Sequence, residues 1–166
     1  MAGMDDTEYR MLDRVARYQF GTGAGDALFS DPDDLDVTHS TSGRPRQVHG
    51  SDGRLVSFGT DGRFTIGLAG GRRLQAALDS PAYRVVVGDE SEPFVRDGKN
   101  VFAKFVQDVD EDVRPGDEVV VVHHEGDLLA VGRAELSAAA MADFDTGMAV
   151  YVREGAGSEG SEEPAK

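Results

Sequence analysis

From Asp36 onward, turn signals cut this chain at short intervals. Ser42-Gly43, Ser51-Asp52-Gly53 and Asp61-Gly62 punctuate the first stretch, and Arg114-Pro115-Gly116-Asp117 and Glu125-Gly126-Asp127 the second. The apolar pieces between them have room for short strands and little else. Val37 to His39, Gln47 to His49, Leu55 to Phe58 and Phe64 to Leu68 suit a small antiparallel meander. Tyr83 to Val87, Asn100 to Val106, Val109 to Val113, Glu118 to His123, Leu128 to Leu136 and Met148 to Val152 suit a small β-barrel. The Glu118 to His123 run is valine-rich, which fits a strand buried on both faces. Helices are expected at about Asp5 to Phe20, at Ala69 to Leu78, and briefly at Glu90 to Asp97, where Pro93 intervenes. The fold class is therefore α+β. It comprises a small N-terminal α+β domain (1–81), a β pseudo-barrel (82–153) and an acidic low-complexity tail (154–166) expected to be disordered.

In the first helix Asp5 and Glu8 form a capping-box pattern, and Met11, Leu12, Val15 and Tyr18 make the apolar stripe. Arg10, Arg14 and Arg17 share another face, where Asp6 and Asp13 stand at ion-pair spacing. Gly21-Thr-Gly-Ala-Gly25 follows a helix and no Gly-Lys-Ser/Thr succeeds it, so it reads as a helix stop and turn, not a phosphate cradle.

Charge narrows the function. The chain carries 17 Lys+Arg against 31 Asp+Glu, a net −14. Such a surface repels itself at low salt and suits a salt-rich cytoplasm, with an ordinary acidic protein as the alternative. Against that background residues 44–73 hold six arginines and only Asp52 and Asp61. Arg44, Arg46, Arg54 and Arg63 lie at turns or strand ends, where they are exposed.

Catalytic chemistry is sparse. With no cysteine there is no thiol nucleophile, thiolate metal site or disulfide. His39, His49, His123 and His124 lack helix-spaced partners; His123 and His124 close an apolar strand and read as structural or solvated. No serine sits in a nucleophile-elbow frame. No apolar run approaches bilayer length, and MAGMDD is not a signal-peptide start. The expectation is a soluble cytoplasmic chain with no catalytic residues, metal or cofactor.

Four segments in order, Phe94-Val-Arg-Asp-Gly-Lys-Asn-Val-Phe-Ala-Lys-Phe-Val106, Arg114-Pro-Gly-Asp-Glu-Val119, Leu129-Ala-Val-Gly-Arg-Ala134 and Gly147-Met-Ala-Val150, resemble the PUA domain, a compact RNA-binding pseudo-barrel. The resemblance covers about 82–153. Upstream, Tyr18-Gln-Phe-Gly21, Gly23-Ala-Gly25, Ser42-Gly43-Arg44, Asp61-Gly62 and Arg73-Leu74 are similar to the domain that precedes PUA in archaeal archaeosine tRNA-guanine transglycosylases. That family's catalytic barrel and zinc-binding cysteines have no counterpart among these residues, so its reaction is not carried over.

The resemblance implies that the loop of Gly98, Lys99 and Asn100 approaches the RNA backbone, flanked by Arg96 and Lys104, with Arg153 on the last strand as a weaker candidate. For Arg133 a salt-bridged and an RNA-facing role stand level. Phe94, Phe102 and Phe105 are assigned to packing. Arg44, Arg46, Arg54 and Arg63 would give a second RNA-facing surface. The expected partner is RNA, tRNA foremost, and not DNA or a membrane. Two alternatives stay open: an accessory subunit of a separate tRNA-modifying enzyme, and a protein-interaction module that no longer binds RNA.

Overall fold

The computed structural model describes residues 6–30, 32–78, 83–144 and 146–157. The chain divides into two compact units, Met1–Asp79 and Ser80–Lys166.

In the first unit α1 (Asp6–Phe20) and α2 (Ala24–Phe29) precede a single 3-10 turn, Pro32–Asp34. There follow β1 (Asp36–His39), β2 (Pro45–Gly50), β3 (Gly53–Phe58), β4 (Phe64–Ile66) and α3 (Leu68–Ala77). The strands form an antiparallel meander in the order β1-β2-β3-β4, as the turn signals predict. Helix α1 buries Leu12, Ala16 and Phe20, a stripe spaced four residues apart. That corrects the expected stripe: Tyr18 lies off it and is 93% exposed. Asp5, the expected cap, lies outside the described residues. The core closes on Phe64, whose ring meets Phe29 and Phe58 edge-on at 6.0 and 5.6 Å. The glycine segment does stop α1, but α2 follows within it. At six residues α2 is too short to show a period.

The second unit contains β5 (Arg84–Val87), α4 (Glu92–Arg96), β6 (Val101–Phe102), β7 (Val106–Val109), β8 (Glu118–His123), β9 (Leu128–Ala134), α5 (Ala138–Asp143) and β10 (Met148–Gly155). Its strands lie in one sheet ordered β6-β10-β9-β8-β5-β7, with β5 and β8 parallel and the other pairs antiparallel. The two end strands are joined through one 3-10 turn, Ala103–Phe105, so the sheet curls into a nearly closed barrel. This is the expected α+β class with a pseudo-barrel. All six β8 residues are buried. Val119 and Val121 enter the barrel core with Val85, Val87, Leu129 and Val150, while Val120 and Val122 are buried outside that cluster.

Three local expectations change. The expected strands Asn100 to Val106 and Val109 to Val113 become β6, the 3-10 turn Ala103–Phe105 and β7, and the ladder ends at Val109: Asp110 accepts from the amides of Asp112 and Val113, local bonding that competes with a ladder. Helix α5 was not foreseen; it starts where the Ser137 hydroxyl accepts from the Ala140 amide at 3.1 Å. The acidic tail does not begin after Arg153. Strand β10 runs to Gly155, and the amides of Ala156 and Gly157 donate to the carbonyls of Leu129 and Arg96. Residues 158–166 lie outside the described residues.

Candidate nucleic-acid interface

Helix α4 ends in a double-bonded cap that builds the loop singled out from the sequence. The Gly98 amide donates to the Val95 carbonyl (2.9 Å) and the Lys99 amide to the Phe94 carbonyl (3.0 Å). Gly98 stands at φ +93°, and a Cβ there would meet nothing within 4 Å. Glycine is thus required by backbone conformation, and the space above it is open. Asn100 fixes the other side of the loop: its Oδ1 accepts from the Val152 amide at 2.9 Å.

The two lysines point outward. Lys99 is 66% exposed, its Nζ 3.6 Å from the equally open Asp97 carboxylate. Lys104 is exposed on the 3-10 turn, not on a strand, with its ammonium 5.2 Å from the centre of the Phe105 ring. Lys99 lines a depression of about 590 Å³ together with Glu90, Ser91, Phe94, Val95, Asn100, Val101, Phe102 and Phe105. Phe94 and Phe102 are 61% and 46% exposed. Their assignment to packing is corrected: they form the open wall of a groove, since β6 is an edge strand of only two residues.

Arg96 and Arg153 both have carboxylate partners within the unit. Arg96 is mostly buried, with Nε 3.0 Å from Glu92, Nη1 3.3 Å from the Gly157 carbonyl and Nη2 3.8 Å from Asp127. Arg153 grips the buried Glu118 carboxylate with both guanidinium ends, Nη1 at 3.2 Å from Oε2 and Nη2 on Oε1. Arg133 pairs with Glu135 (2.9 Å) while half-exposed, its guanidinium 5.5 Å from the Tyr151 ring centre.

In the first unit the four arginines separate. The guanidinium of Arg44 lies 5.3 Å from the centre of the Phe58 ring and donates to the Gly59 carbonyl at 3.4 Å. Arg54 is half-buried and donates to Ser57 Oγ at 2.9 Å. Arg46, on β2, and Arg63, before β4, are exposed and without an ion-pair partner among the described residues. Arg73 braces the unit, with Nη2 2.8 Å from Asp52 and Nη1 2.9 Å from the Leu28 carbonyl.

Asp89, His123 and His124 come together, their potential ligand atoms within 4.8 Å of one another. Sequence reasoning missed Asp89, which is 34 positions from His123. The Glu125 amide donates to His123 Nδ1 (3.1 Å), so the neutral ring carries its proton on Nε2 and donates it to Asp89 at 2.6 Å. That bond pushes the buried imidazole above its ordinary 6.5, with Glu92 and Glu125 adding and burial opposing. It holds the Asp89 carboxyl below 3.8. A metal ion would need the Nε2 lone pair where this proton sits. As it stands, the Asp89 carboxylate holds the His123 ring in place.

Comparison with known proteins places both units. Residues 10–81 match the patch-forming domain C2 of tRNA-guanine transglycosylase, and residues 83–156 match the PUA domain. The second unit is a PUA domain. It is 43% identical over 157 residues to tRNA-guanine(15) transglycosylase of Methanothermobacter thermautotrophicus, covering 92% of this chain and 24% of the relative. It is 46% identical over 142 residues to the Pyrococcus furiosus enzyme, covering 85% and 24%. The chain thus spans about a quarter of the length of these relatives. A hypothetical protein from Pyrococcus horikoshii has the same fold at TM-score 0.68, with 22% identity and 93% of both chains covered. A conserved PUA domain protein from Thermoplasma acidophilum gives 0.61, with 20% identity and 95% of both covered. Among the described residues of this C2–PUA pair, no helix is long and apolar enough to cross a membrane.

Proposed function

We propose that this chain is a cytoplasmic RNA-binding protein that holds tRNA through the Gly98 loop of its PUA unit and performs no reaction with these residues. The observation that carries the reading is exposed Lys99 in the lining of an apolar groove, with exposed Lys104 next to Phe105 of the same lining. Lysines offer point charges to phosphates, and exposed phenylalanines offer faces to bases. Asn100 keeps its amide nitrogen for RNA while its oxygen is spent on Val152. Arg96 and Arg153 support the loop and the barrel, and Arg46 and Arg63 remain as first-unit contacts. The named activity of the relatives, on guanine in tRNA, makes tRNA the first RNA to test.

The coverage of only 24% of the relatives supports a second reading, an accessory RNA-binding part working beside a separate tRNA-modifying enzyme. Co-purification of a catalytic chain from native lysate would favour it over binding by this chain alone.

The test is charge reversal at the loop. Lys99→Glu with Lys104→Glu should weaken binding of a tRNA transcript at least tenfold, and the slope of log K against log salt should fall by about 1 per lost phosphate contact. Filter binding at several KCl concentrations reads both. Full affinity in a folded double variant would refute the assignment.

A further inference from the structure

Tyrosine is on average only partly exposed, yet Tyr18 is 93% exposed. Its surroundings are built, not incidental. The Gln19 side chain donates through Nε2 to the Phe64 carbonyl (2.9 Å) and accepts from the Phe64 amide at Oε1 (2.7 Å). This two-way clamp fixes α1 against β4 and brings the Asp61-Gly62-Arg63 turn beside Arg14, Val15 and Tyr18. Together these residues line a depression of about 560 Å³.

The charges there run against the molecule. In a chain with 31 acidic and 17 basic side chains an arginine readily finds a carboxylate, and Arg17 does so, 3.1 Å from Asp13. Arg14 and Arg63 are exposed and have no ion-pair partner among the described residues. Asp61, the acidic group on the same rim, spends Oδ1 on the Arg63 amide at 3.1 Å. An open aromatic ring sharing one depression with two guanidinium forks that have no ion-pair partner among the described residues fits one chemistry well. A flat base stacks on the ring, and the forks take phosphate oxygens in pairs.

We propose that this face of α1 holds one unpaired nucleotide of an RNA strand, its base on Tyr18 and its flanking phosphates on Arg14 and Arg63. The proposal rests on the RNA-binding reading but names a site separate from the Gly98 loop. A paired base would not serve, because its faces are already taken by its neighbours in the stack.

The chain has no tryptophan, so Tyr18→Trp places a single indole at the site. Titration of this variant with a single-stranded oligouridylate octamer should give saturable fluorescence quenching, and an RNA duplex of equal length should give little. Tyr18→Ala should weaken octamer binding about tenfold and Tyr18→Phe hardly at all, since stacking needs the ring and not the hydroxyl. Arg14→Ala with Arg63→Ala should also weaken it. Thermal midpoints should stay unchanged, because the ring and both forks face solvent.

Four results would overturn the site. Absent quenching, with Lys99- and Lys104-dependent tRNA binding intact, removes this site and leaves the proposed function standing. Equal quenching by duplex removes the unpaired base. Quenching that follows protein concentration without RNA makes the face a contact between copies of this chain. If the wild-type chain binds neither octamer nor tRNA, both readings fall.

Discussion

Arg153 shows how the same residue type can face two ways. An arginine on the last barrel strand reads as a nucleic-acid contact from the sequence, but its guanidinium is committed to Glu118, which is 5% exposed. Removing either partner strands the other. Breaking a fully buried pair costs about 3–5 kcal/mol, and Arg153 still reaches water, so about 2 kcal/mol is expected for Glu118→Ala. Urea unfolding of Glu118→Ala, Arg153→Ala and the double variant should show strong coupling, with RNA affinity unchanged in the folded proteins. A stable Arg153→Ala that binds RNA poorly would restore the nucleic-acid role. The partner was illegible beforehand because it lies 35 positions away, and Arg96 reaches Gly157 across 61. Residue type and spacing reveal a charge but not who neutralises it. Gly98 was legible because its requirement is local: a helix cap needs a left-handed residue wherever the rest of the chain goes.

Among the elements, β10 carries more than its sequence suggests. A low-complexity acidic composition argues against order, yet the strand continues to Gly155 because its neighbours supply hydrogen bonds. Gly155 sits directly under the end of α4, and a Cβ there would run into the Arg96 carbonyl and come within 2.7 Å of the Gly98 amide nitrogen. Both atoms are backbone and cannot swing aside. The end of β10 therefore seats the loop that presents Lys99. Gly155→Ala should destabilise the unit by about 1–3 kcal/mol, as overpacking does, and should speed amide exchange at Gly98 and Lys99 before the barrel strands. Unchanged exchange at those two amides would show that the loop stands without this support. Strands β5, β8 and β9 were readable from turn chemistry and valine runs, whereas the break between β6 and β7 was not. Helices α2 and α5, at six residues each, were not, because neither is long enough to display a face.

For the whole molecule the question is how a chain of net −14 stays folded and still meets a polyanion. Several of its cations are paired within the units: Arg73 on Asp52, Arg96 on Glu92, Arg133 on Glu135 and Arg153 on Glu118. The carboxylates left over repel one another and repel RNA. Salt weakens both repulsions, since the screening length falls from about 10 Å at 0.1 M to about 3 Å at 1 M. Buried pairs such as Glu118–Arg153 are screened far less than exposed carboxylates, so added salt should stabilise the fold. The thermal midpoint should rise steeply between 0.1 and 1 M KCl and then flatten, because charges already separated by more than the screening length gain little from further salt. Exclusion of salt from the surface, the competing cause, would instead give a continuing rise that is stronger with sulfate than with chloride. A midpoint flat across the whole range would mean that the acidic excess is too dispersed to matter, and the reading of this surface as built for a salt-rich cytoplasm would fall with it.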